Sequence, residues 1–116
     1  MIPKRRKPAK MNVREPDRIR CPGHLQYVRG FGCSVPRCEN RDIEAAHVRV
    51  GTDGGTGIKP SDRYVIPLCR THHEFQHRGE RSFAIKYGID ALAIAGSLWN
   101  TSPHGVKWRR EHGEGR

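Results

Sequence analysis

Apolar residues are scarce in this sequence. Hydrophobic side chains make up 34 % of the 116 residues and aromatics only 7 %, too little to pack the whole length as one globule, so part of the chain is expected to be tail. No run of about 18 apolar residues is present to span a bilayer, and the opening MIPKRRKPAK is charged but lacks the apolar stretch of a signal peptide. A cytoplasmic, reducing location is therefore expected, where cysteines beside histidines point to metal rather than to disulfides. Internal repeats are also absent. Acidic side chains are few, 12 against 22 Lys and Arg, giving a formal charge of +10 and a pI near 10.1.

The excess charge is unevenly placed. Residues 1–20 carry eight Lys or Arg against Glu15 and Asp17, with Pro3, Pro8 and Pro16 and almost nothing apolar, which reads as a disordered basic N-terminal arm. Residues 104–116 read as a flexible basic C-terminal tail, four basic groups against two acidic ones from position 107 onward. Residues 21–103 are left as one small domain, near the size at which a single core begins to suffice, so a structural metal would help. A strongly basic chain implies a polyanionic partner, and DNA or RNA is the economical choice. A merely solubilising, ribosomal-type tail is the bland alternative, and a membrane surface fits less well.

Between the two ends the periodicity changes several times. CPGHLQYVRGFG, residues 21–32, predicts a short helix ended by Gly30 and Gly32. CSVPRC, residues 33–38, has the form of a metal knuckle loop. IEAAHVRV predicts a strand, GTDGGTGIKPSD a loop too poor in apolar groups to pack, and RYVIPL a second strand that Pro67 confines to an edge or an end. From Cys69 to Gly79 no Gly or Pro intervenes, and a helix is predicted with His73 and His77 four apart on one face. Two further helices follow, the second capped by Asp90, with Phe83, Tyr87, Ile89, Leu92, Ile94, Leu98 and Trp99 as candidate core.

The cysteines and histidines carry the chemistry. Cys33 and Cys38 form C-x4-C, and about thirty residues later Cys69 and His72 form C-x2-H, four N/S donors suited to tetrahedral zinc. Successive helical residues differ by about 100°, so if His72 turns to this zinc then His73 and His77 point elsewhere and could grip a second divalent ion with open positions for water and substrate. The competing arrangement is one zinc held by Cys33, Cys38, His73 and His77, which strands Cys69 and needs a linker far longer than a zinc finger's. Cys21 and His24 form another C-x2-H, read as a free thiol and a neighbouring histidine, with alternative zinc ligation as the other choice. His47 sits near the end of the first strand, just before the Gly-rich loop. Arg49, Lys59, Arg63 and Arg70 are expected next to the site as candidate phosphate contacts, with solvated surface charges as the even alternative.

Taken together, the C-x4-C knuckle, AAHVR, the GGTG loop, RYVIPL and LCRTHHEFQH resemble the HNH endonuclease superfamily, the ββα-metal nucleases, over about residues 33–77. The stretch from Gly54 to Gly79, with LWNTSP downstream, is most similar to phage- and prophage-borne members. The resemblance implies an α+β fold: a small zinc-stabilised ββα-metal core with flanking helices and disordered basic termini. It implies that His47 is the general base, that His73 and His77 ligate a catalytic Mg2+, Mn2+, Ni2+ or Zn2+, and that Cys33, Cys38, Cys69 and His72 hold structural zinc. The reaction implied is hydrolysis or nicking of a DNA phosphodiester to leave a 5′ phosphate, on double-stranded or branched DNA, alongside a phage or host replication or recombination protein in the bacterial cytoplasm. The alternative is a non-catalytic zinc module that binds nucleic acid in phage recombination, replication or packaging.

Two positions depart from the family pattern. The residue before the base is often Asp or His and helps hold the ion; here it is Ala46. The central Asn falls at Tyr64, with Asp62 two residues earlier as a substitute in support of the site. Glu44, three residues before His47, is expected on the opposite side of the strand from it.

Overall fold

The structure, a computed structural model, describes residues 18–54 and 59–112. The expectations for most of the N-terminal arm, for residues 55–58 of the Gly-rich loop and for residues 113–116 lie outside the described residues. Among these the chain is α+β, with five helices and one two-stranded sheet: α1 (Pro22–Val28), β1 (Ile43–His47), β2 (Val65–Cys69), α2 (Arg70–Arg78), α3 (Glu80–Tyr87), α4 (Ala91–Thr101) and α5 (Pro103–His112). None of these helices is long and apolar enough to cross a membrane.

β1 and β2 pair antiparallel, from Ile43 opposite Cys69 to His47 opposite Val65. Side chains on a strand alternate, so Glu44 and Ala46 share one face of β1 while Ile43, Ala45 and His47 share the other. The Glu44 face meets α2, and Ala46 and Val48 enter the core there with Val35, Ile66, Leu68, Phe83 and Ala95. All of β2 is buried, as a continuous apolar strand covered on both faces should be. Its Pro67 lacks an N–H, but the Pro67 carbonyl accepts from Ser34 N–H and Oγ–H at 2.8 Å each, which ties the cysteine knuckle to the strand. Burying Val65, Ile66 and Leu68 contributes roughly 1.5–3 kcal/mol per side chain.

The helix ends follow local chemistry. Pro22 opens α1, where a missing N–H costs nothing. Asp90 caps α4 by accepting from Ala93 N–H at 3.1 Å. α3 stops at Gly88, whose φ of 65° is left-handed and suits glycine. Of the predicted core, Phe83 and Trp99 are buried, while Leu92 stays 42 % exposed.

The C-terminal tail is a correction. Residues 104–112, loose by their composition, form most of α5. Ser102 starts it: the Ser102 Oγ accepts from His104 N–H at 3.1 Å and Gly105 N–H at 3.4 Å, with Pro103 at the first helical position. The helix then docks on Trp99, whose ring lies 6.2 Å from that of Trp108, and whose backbone oxygen would be 2.3 Å from any Cβ at position 105. The inner end of the basic arm is likewise held. Ile19 is buried, its N–H donates to Ser61 Oγ at 3.0 Å, and its carbonyl accepts from Asp62 N–H at 2.8 Å. Pro60, Ser61 and Asp62, expected in an unpacked loop, are buried for the same reason.

Candidate metal centre and histidine sites

The knuckle loop bends sharply at Arg37, whose φ of 69° is unusual for a residue with a side chain, and Cys38 N–H closes the turn on Val35 O at 3.1 Å. This brings Cys38 back beside Cys33. Cys69 ends β2 and caps α2, and His72 lies in the first helical turn. The four ligand atoms all fall within 4.8 Å of one another. Tetrahedral bonds of about 2.3 Å to sulfur and 2.0 Å to nitrogen require about 3.8 Å between sulfurs and about 3.5 Å between sulfur and nitrogen. The Cys38 and Cys69 sulfurs are 3.8 Å apart, and His72 Nδ1 lies 3.6 Å from Cys33 Sγ and 3.2 Å from Cys69 Sγ.

The surroundings complete a centre suited to structural zinc. Cys33 Sγ accepts from Cys69 N–H at 3.4 Å, and Cys69 Sγ from the Asn40 amide at 3.4 Å. Burial pushes the Cys33 thiol up to about 11. Burial acts in the same direction on Cys69, but the Asn40 amide and His72 N–H outweigh it and hold that thiol below its usual range. A divalent cation would resolve the conflict by deprotonating all three sulfurs. His72 is fixed edge-on to Tyr87, ring centroids 5.1 Å apart. Cys21 is not in this cluster; it is a free cysteine, and its N–H donates to Asp62.

His73 and His77 emerge from another side of α2, with ring centroids 4.7 Å apart. His73 Nδ1 is 2.7 Å from Glu44 Oε1, and Arg70 Nε is 3.6 Å from Glu44 Oε2. The His73 hydrogen bond is the largest influence on Glu44 and holds its carboxyl below the ordinary value, against a smaller opposing effect of desolvation. Sequence reasoning assigns Glu44 no role. Strand alternation places Glu44 on the face of Ala46, but that this face meets α2 is seen only in the fold.

His47 makes a separate assembly on the other face of β1. Its Nε2 is 2.9 Å from Asp62 Oδ1, with 18 % of the histidine side chain exposed against 3 % of the aspartate. Asp62 Oδ2 accepts from Cys21 N–H at 2.8 Å, and Arg20 Nη1 lies 3.7 Å from Oδ1. Burial alone would raise the Asp62 carboxyl; the bonds from His47 and Cys21, with Arg20 nearby, outweigh it and keep the group below its ordinary value. An ionised Asp62 only accepts, so in the neutral ring of His47 the proton sits on Nε2 and the lone pair on Nδ1. Gln76 of α2 reaches the His47 backbone oxygen at 3.3 Å. Tyr64 packs against the core with Arg63 over its ring.

Among the described residues, the zinc set is the one group of three or more His, Cys, Asp or Glu whose ligand atoms converge this closely. His73 meets His77 and Glu44, but among the described residues no third ligand atom converges with those of the two histidines, and Ala46, fully buried, offers none. The four basic candidates make separate contacts. Arg70 pairs with Glu44, Arg63 lies over the Tyr64 and Trp99 rings, the backbone N–H of Arg49 binds Glu80, and the Lys59 carbonyl accepts from Arg20.

Residues 5–102 match the profile of a family described as "Protein of unknown function (DUF968)". The "Uncharacterized protein YdfU" of Escherichia coli strain K12 is 34 % identical over 64 residues, covering 54 % of this chain and 18 % of that protein. The chain therefore spans under a fifth of that relative's length. No solved structure matches.

Proposed function

Because the chain belongs to the DUF968 family, whose description assigns no activity, we propose its function from the residues themselves: a metal-dependent endonuclease of the HNH type that hydrolyses DNA phosphodiester bonds. The observation that carries this reading is the His47–Asp62 pair, a part-exposed imidazole backed by a buried carboxylate at 2.9 Å. That is how a general base is oriented. The carboxylate fixes the tautomer and stabilises the imidazolium that forms when Nδ1 takes a proton from water. Asp62 thus takes over the support of the base from the central Asn position of the HNH pattern, which here holds Tyr64.

His73 and His77 would hold the divalent ion. When bound, the ion would stabilise charge on the scissile phosphate and on the leaving 3′ oxygen. The zinc centre serves the scaffold instead. It joins the knuckle, β2 and α2, and so sets the direction in which α2 presents the two histidines. The basic N-terminal arm supplies sequence-independent attraction for the phosphate backbone. Supercoiled plasmid incubated with the zinc-loaded chain and a panel of Mg2+, Mn2+, Ni2+ and Zn2+ tests the reading. Nicked or linear products that require added ion support it, and none with any ion refutes it.

A second reading has its own support. Ala46 is buried and no further ligand converges on His73 and His77 among the described residues, which favours a zinc module that binds nucleic acid without cutting it and acts beside phage recombination, replication or packaging proteins. One tightly held zinc per chain, nucleic-acid binding, and indifference to added Mg2+ or Mn2+ would select it.

A further inference from the structure

We infer that Glu44 is the positioning residue of the divalent-ion site, fixing His73 so that its Nε2 is presented to the ion; the inference rests on the ion site proposed above. Three observations lead to it. The first is the missing ligand: Ala46 is fully buried in the core, in one cluster with Val48, Ile66 and Phe83, and its methyl group offers no donor to an ion. The second is the strand period, which places Glu44 two residues earlier on the same face. The acid missing at 46 is present at 44.

The third is the contact itself. Glu44 Oε1 lies 2.7 Å from His73 Nδ1, short enough to be charge-assisted. A carboxylate only accepts, so it selects the tautomer with the proton on Nδ1 and the lone pair on Nε2. His77, ring centroid 4.7 Å away, is then the neighbouring donor at i+4. Arg70 Nε, 3.6 Å from Oε2, steadies the carboxylate from the same helix. A carboxylate behind a ligating imidazole raises ligand basicity and fixes ring orientation. Glu44 acts through His73 here, which accounts for its not joining His73 and His77 as a converging third ligand.

The test has two readouts. Mn2+ is titrated into the zinc-loaded chain and free ion is followed by electron paramagnetic resonance, since the thiolate-rich centre keeps zinc in preference to manganese. Wild type should bind one Mn2+, Glu44→Ala should bind it about 10- to 100-fold more weakly, and Glu44→Gln, which keeps an acceptor oxygen, should fall between. Zinc content should be unchanged in both. In the second readout, long-range proton–nitrogen correlation should show His73 protonated on Nδ1 in wild type and no longer held in that form in Glu44→Ala. Unchanged affinity in the variants, or an Nε2-protonated His73 in wild type, overturns the assignment of Glu44 alone. No Mn2+ binding by wild type overturns the ion site itself and this assignment with it.

Discussion

Acid should destabilise this fold through one side chain outside the cluster of Cys33, Cys38, Cys69 and His72. His24 is fully buried on α1, edge-on to Trp99 with centroids 4.9 Å apart, and neither ring nitrogen has a hydrogen-bond partner. Burial first, and the nearby His104 second, lower its pKa from 6.5 to about 4, against a weaker opposing pull from Asp62. The unfolded chain takes up a proton near 6.5 that the folded chain refuses until about 4. Stability from this group is therefore complete above the unfolded value, falls as pH drops through the window, and is flat below the folded value. At about 1.4 kcal/mol per factor of ten in proton affinity, the full loss is about 3 kcal/mol, of which about 2 kcal/mol is reached by pH 5. The perturbation is His24→Leu, of similar volume and without charge. Urea unfolding of both zinc-loaded chains at pH 7 and pH 5 gives a difference of differences, in which acid release of zinc, common to the two, cancels. Leucine should spare about 2 kcal/mol of the acid-induced loss. Equal losses in the two chains would refute the argument. The consequence reaches the site, because displacement of α1 would draw Cys21 N–H away from Asp62, the carboxylate behind His47.

Two further outcomes follow from the scaffold. Removing zinc with a strong chelator, or replacing Cys38 with serine, should unfold the chain as judged by circular dichroism, because structural zinc supplies on the order of 10 kcal/mol in small domains; a chelated chain with an unaltered thermal transition would rule out the Cys33, Cys38, Cys69 and His72 centre as a structural element. Gly105→Ala would place a Cβ 2.3 Å from Trp99 O, forcing α5 away from Trp99 and costing about 1–3 kcal/mol, read from urea midpoints; no change would mean that α5 does not dock as described.

What the sequence made legible was whatever is encoded at short range. C-x4-C and C-x2-H mark the four converging metal-donor side chains because a loop and a first helical turn each bring two of them together locally. His73 and His77 share a face because helices repeat every 3.6 residues, and Asp90 caps α4 as its side chain predicts. Apart from Asp62, which the resemblance offered in support of His47, long-range polar contacts were not legible. Glu44 and His73 are 29 residues apart, and neither position announces the other. Ser61 and Asp62 look like loop residues, yet they are buried because they accept from Ile19 and Cys21 backbone groups across some forty positions. Apolar patterning does not register burial driven by hydrogen bonds. In the case of α5 the signals were present, Ser102 as cap and Pro103 as first residue, but the basic composition beyond them reads as tail. The docking of Trp108 and Gly105 on Trp99 adds to those signals and is visible only in the fold.

The proposed function stands or falls with His47, backed by Asp62, taking a proton during divalent-ion-dependent cleavage. Wild-type and His47→Ala chains, matched for zinc content and circular dichroism, are compared in single-turnover cleavage of supercoiled plasmid with Mn2+. The His47–Asp62 arrangement predicts ion-dependent cleavage by wild type and a loss of about 100-fold or more in the variant, the usual contribution of a general base. Cleavage by His47→Ala at the wild-type rate would contradict it.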